Sequence, residues 1–155
     1  MSWSSRTRQT SRLAFRFTVR RDGIIEVHVG ADEGLLDYAL NDAVSSRAPR
    51  GASSQGLSTY WIDRTEQALG RAIAEGLDGP LASGNATYLR LDGDHVVAAY
   101  GFDPDEQEGE SLPVDEFVSL LKEWRRLVID AGGVSGRAAA HRSEERPPRP
   151  MGPPA

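Results

Sequence analysis

The sequence predicts an α+β fold: an antiparallel sheet of four to five strands, built from two hairpins, with two to three helices packed on one face. Three observations carry this. Residues 13–19 and 24–29 are alternating apolar runs joined by Arg21-Asp22-Gly23, a hairpin signal. Residues 86–102 (ATYLRLDGDHVVAAYGF) carry a second hairpin around Asp92-Gly93-Asp94. Residues 112–133 (LPVDEFVSLLKEWRRLVIDAGG) hold the longest helical period of the chain. Two hairpins, with helices between and after them, favour an antiparallel sheet.

In the first hairpin a three-residue loop ending in a left-handed Gly23 pairs Val19 with Ile25, Phe17 with Val27 and Phe15 with Val29. A two-residue loop would set Val19 against Glu26. The longer loop puts all six apolar residues on one face and is therefore chosen. It sets Arg16 across from His28 and Thr18 across from Glu26, and turns His28 outward.

Residues 31–46 are expected to form a short helix with Leu36, Leu40, Ala43 and Val44 inward and Asp32 as its cap. Residues 45–56 are small, polar and Pro/Gly-bearing, hence a mobile connection. Residues 57–62 form a short strand or an extended lead-in. Asp63 then caps a second helix, with Glu66 three residues on as in a capping box, and Ile62, Leu69, Ala72, Ile73 and Leu77 inward. In the second hairpin Leu89 and Leu91 face the core.

In the last helix Pro113 suits the first position and Asp115 and Glu116 suit the positive end of the helix dipole. At about 100° per residue, Val114, Phe117, Val118, Leu121, Trp124 and Val128 share one arc. Arg125 also falls there. Either its stem lies along the core with the head on a carboxylate or in water, or it is a binding residue beside Trp124. Trp124 is expected to be the most costly side chain to truncate, and removal of residues 134–155 to be almost silent.

The 155 residues have room for one domain, placed at residues 12–132, between a disordered N-terminus (1–11) and a disordered Arg/Pro-rich tail (133–155). No apolar run reaches 18 residues, so no membrane span is expected. The N-terminus has no apolar core of a secretory signal. Zero cysteines exclude disulfides and thiolate chemistry and fit the cytosol. Lys122 is the single lysine against 17 arginines, a bias that fits a high-GC bacterial genome.

Charge is unevenly spread: +6 over residues 1–21, −13 over 22–132 and +2 over 133–155, within an overall −5. The acidic middle argues against nucleic acid as a partner and suits a cationic protein surface.

The sequence carries no GxGxxG, Walker or GxSxG pattern, and no cofactor motif. His28, His95 and His141 are isolated from one another, and Asp92 to His95 reads as a hairpin tip, so no metal is expected. DPDEQEGE, residues 103–110, lacks the Gly and Glu spacing of a calcium loop. An enzyme would have to assemble Glu66, Asp94 and His95 through the fold.

The candidate partner-binding residues are Asp103, Asp105, Glu106, Glu108 and Glu110 of the acidic segment, with Arg125. The alternative is a small-molecule or ion site whose pocket is lined by Trp61, Tyr88, Tyr100 and Trp124, or a subunit of a larger assembly.

The succession of a helix, GNATYLRLDGD (84–94), an acidic loop and LPVDEFVSLLKEW (112–124) resembles small immunity-type proteins of bacterial toxin systems. The resemblance covers residues 61–129. It implies a non-enzymatic inhibitor that neutralises a basic toxin domain by binding it.

Overall fold

A computed structural model describes residues 15–30, 34–101 and 109–136. The class is α+β with antiparallel strands, as the sequence predicts. The strands divide into two sheets, a hairpin and a four-stranded sheet.

The hairpin is β1 (Phe15–Val19) and β2 (Ile25–Val29). Its register is the predicted one: Val19 pairs Ile25, Phe17 pairs Val27 and Phe15 pairs Val29. Gly23 has φ 88°, a conformation that a side chain disfavours. Burial departs from expectation. Val19 is 71% exposed, while Ile24, in the turn, is buried. The pairing was legible; which end of the hairpin the core reaches was not.

Next comes α1 (Leu35–Ala39), continuing as a π-helical turn over Leu40–Val44. This helix bridges the two sheets, touching β2 and also β4, β5 and β6. Leu36, Ala39, Leu40, Ala43 and Val44 are all buried. Its expected cap, Asp32, lies outside the described residues.

The third element is α2 (Tyr60–Glu75). Residues 57–62 are not a strand. Leu57 and Ser58 make only single bridges, to Arg47 and Val134, and the helix begins at Tyr60. Asp63 is not the cap either. Thr59 holds that position, and Asp63 lies one turn inside, buried. Ile62 and Leu69 are buried as predicted, but Ile73 and Leu77 are 55% and 59% exposed.

The larger sheet has the order β3 (Gly79–Ser83), β4 (Thr87–Asp92), β5 (His95–Tyr100), β6 (Glu110–Pro113). The predicted second hairpin is β4–β5, with Asp92 opposite His95. Strands β3 and β6 were not foreseen; each is short and weakly alternating, and joins an edge of that hairpin.

The last helix is α3 (Val114–Asp130), where Pro113 is the cap rather than the first helical residue. Phe117, Leu121, Trp124 and Val128 are buried on one face, as the arc predicts. Trp124 is the largest fully buried side chain, and its ring nitrogen donates to the Ile25 carbonyl at 3.0 Å.

Beyond α3 the chain keeps its contacts to Gly136, past the expected domain end at 132. Val134 N–H donates to Leu57 O at 3.0 Å and its carbonyl accepts from Thr59 N–H at 3.0 Å. Residues 1–14 and 137–155, and with them most of both termini expected to be disordered, lie outside the described residues.

Candidate functional site

The acidic segment is clamped at both ends. Strands β5 and β6 are adjacent and antiparallel, with Ala98 opposite Glu110. At the other end Gly101 N–H donates to the Ala86 carbonyl at 2.8 Å. The described residues on either side of 102–108 thus belong to neighbouring strands or their ends. Asp103, Asp105, Glu106 and Glu108 themselves lie outside the described residues.

Glu110 has a defined task. Its carboxylate accepts from Leu36 N–H at 2.8 Å, at the open N-terminus of α1, where free N–H groups need an acceptor. Fifteen residues further along the chain, Arg125 also acts within the fold. Its Nε donates to Asp63 Oδ1 at 2.9 Å and its Nη2 to Ser135 Oγ at 3.2 Å. Asp63 Oδ2 accepts from Thr59 Oγ1 at 2.6 Å, and Thr59 Oγ1 accepts from Gly136 N–H at 2.8 Å. Of the two readings of Arg125, the geometry matches a head resting on a carboxylate. The network ties α3, α2 and the segment after α3 together.

The four aromatics do not converge. Trp124 is enclosed in the core, within 6.4 Å of the Phe17 ring. Trp61 is partly exposed and meets Tyr60 edge-on at 4.9 Å. Tyr100 lies against Tyr38 at 6.3 Å. Tyr88 borders a shallow cleft beside residues 83–87, with none of the other three.

Nor do the residues an enzyme would require meet in one place. Asp94 Oδ1 contacts His95 Nδ1 at 2.7 Å at the tip of the β4–β5 hairpin, where Asp94 is almost wholly exposed. Glu66 borders a different groove, between α2 and α3, with Val118, Lys122 and Arg126. Among the described residues no three His, Cys, Asp or Glu side chains gather as a metal site would require. No helix among them is long and apolar enough to cross a membrane.

Three polar side chains of α1 and its exit were not foreseen as important. They close the free edge of β2. Asp37 Oδ1 accepts from Val29 N–H at 2.6 Å, Asn41 exchanges two bonds with Val27, and Ser46 Oγ accepts from Ile25 N–H and donates to its carbonyl. Four residues of helix advance about 6 Å and two residues of strand about 6.7 Å, so Asp37 and Asn41 match alternate strand positions. The π turn and Ser45, at φ 61° and ψ 149°, then aim Ser46 at the third. The available signal was a pair of polar residues four apart, each next to a buried leucine, Leu36 and Leu40.

Asp42, on the same turn, takes the loop between β3 and β4. Its carboxylate accepts from the N–H groups of Asn85, Ala86 and Thr87, each at 3.0 Å, and from Thr87 Oγ1 at 2.7 Å. Burial pushes its pKa up, but these four donors outweigh it and hold the carboxyl below its usual range. A side chain at Gly84 would collide with this carboxylate. His28 is not outward as expected. It sits beneath α1 with Nδ1 3.5 Å from Asp37 Oδ2 and Nε2 2.8 Å from Thr18 Oγ1.

No protein-family model, curated protein or solved structure matches this chain.

Proposed function

We propose that this chain is a non-enzymatic, acidic protein-binding domain that neutralises a basic partner, in the manner of an immunity protein or antitoxin. The observation that carries the reading is the pairing of β5 with β6, which anchors both ends of the acidic 102–110 segment to a four-stranded sheet. Charge held on a rigid base costs less to order on binding than charge on a free tail. The −13 carried by residues 22–132 adds a field that speeds encounter with a cationic surface and rejects anionic ones.

The polar groups near the core also support a binding role. Asp37, Asn41, Ser46, Asp42, Glu110 and the Asp63–Arg125 pair hold the chain's own backbone or each other. They stabilise a scaffold and leave recognition to the surface. The test is capture of partners from the native host, washed at low and then at high salt. A basic protein retained at low salt and released at high salt is expected. Recovery of no protein, or of one held equally under both conditions, contradicts the proposal.

A further inference from the structure

We propose that β1 is a self-association edge through which two copies of this chain pair into one symmetric antiparallel sheet. The two outer edges of the hairpin are finished differently. That of β2 is closed by Asp37, Asn41 and Ser46. These bonds also reveal which way the backbone groups point. Ile25, Val27 and Val29 turn theirs away from β1, so the ladder bonds run between Arg16 and His28 and between Thr18 and Glu26. The pattern continues where Arg20 N–H donates to Ile24 O at 2.8 Å. By the alternation of an antiparallel ladder, Phe15, Phe17 and Val19 direct their N–H and C=O groups outward from β1. No described strand receives them. The strand FRFTV has no proline, no bulge and no inward-pointing charge to protect it.

A second copy fits this edge. A two-fold axis through Phe17 pairs it with Phe17 of the second copy and Phe15 with Val19 of the second copy. All these residues carry outward-directed backbone groups, so every rung can form. Val19, 71% exposed on the core-facing side, gains an aromatic neighbour. On the opposite face Arg16 meets Thr18 of the second copy, so the two copies of Arg16 are not set directly across from each other. An axis through Arg16 or Thr18 would bond only two of these three residues, and the first would set the two copies of Arg16 directly across from each other. A five-residue edge buries less than the roughly 1,200–2,000 Å² of a stable interface, so the dimer is weak, in the micromolar range or above.

Because the chain has no cysteine, introduced ones report cleanly. Arg16 and Thr18 of the second copy would form a non-bonded rung, with Cα atoms about 4.5 Å apart, within reach of a disulfide. The double variant Arg16→Cys/Thr18→Cys should therefore oxidise to a covalent dimer much faster than either single variant. Val19→Asp should weaken association by about a hundredfold, since it buries a lone carboxylate in the pair. Its circular dichroism and melting temperature should match wild type, because Val19 is exposed in the monomer. Sedimentation showing a monomer up to about millimolar concentration overturns the proposal. So does a dimer that Val19→Asp leaves unchanged, or equal cross-linking by the single variants.

Discussion

Asn41 holds the main chain of Val27 at both of its polar groups: the side-chain oxygen accepts from Val27 N–H at 3.0 Å and the amide donates to Val27 O at 2.8 Å. A helix side chain thus takes the place of a neighbouring strand. Replacing it by a residue of similar size without polar atoms leaves two backbone groups unpaired near the core. Asn41→Leu should lower stability by about 2–4 kcal/mol. Asn41→Asp, which keeps the acceptor and loses the donor, should fall between. Denaturant midpoints with unchanged slopes would check the order; equal stability of Asn41→Leu and wild type would mean the edge is not held this way.

Asp42 gives a pH dependence. Its folded pKa is depressed, so its contribution is fully present above the unfolded value near 4 and is lost as pH falls through the folded value. Asp42→Asn should cost about 1–3 kcal/mol at neutral pH. The gap between variant and wild type should narrow as pH drops below about 4. A gap of constant size from neutral pH to about pH 3 would show that the ionised carboxylate is not what secures residues 84–87.

The Arg125–Asp63 pair predicts where the chain can be shortened. Ending it after Gly136 should leave the melting temperature near that of the full chain. Ending it after Gly132 removes Val134, Ser135 and Gly136, and with them bonds to Leu57, Thr59 and Arg125. That truncation should cost about 1–3 kcal/mol. Sequence reasoning placed the silent tail from residue 133 or 134, because Gly133-Val134-Ser135-Gly136 has no periodicity to signal docking. Equal melting temperatures for the two truncations would restore that boundary.

Trp124 is the core position with most to lose. It is fully buried, packs beside Phe17 and donates to Ile25 O. Trp124→Ala should cost about 3–5 kcal/mol. Trp124→Phe, which keeps most of the apolar bulk and loses the donor, should cost less. Calorimetry ranking Trp124→Ala below the 132 truncation in damage would displace α3 from the centre of the core.

What the sequence disclosed was periodic. The β1–β2 register, the β4–β5 hairpin and the buried arc of α3 each repeat an apolar residue often enough to show. What it hid was held by single polar contacts. Asp63 looked like a cap because an acid before a helical run usually is one; Arg125, 62 residues on, claims it instead. Strands β3 and β6 are four or five residues long, contain proline and alternate poorly, so only their pairing with β4 and β5 defines them. Glu110 belonged by sequence to the acidic segment, yet its carboxylate serves Leu36, 74 positions earlier.

That assignment separates Glu110 from its acidic neighbours and sets the most direct test of the binding role. A variant carrying Asp103→Asn, Asp105→Asn, Glu106→Gln and Glu108→Gln, with Glu110 intact, should melt with the wild type. Used beside it as bait in the native host, it should fail to retain the basic partner that wild type holds at low salt. Retention of the same partner to the same extent, with all four carboxylates gone, would contradict recognition through the acidic segment.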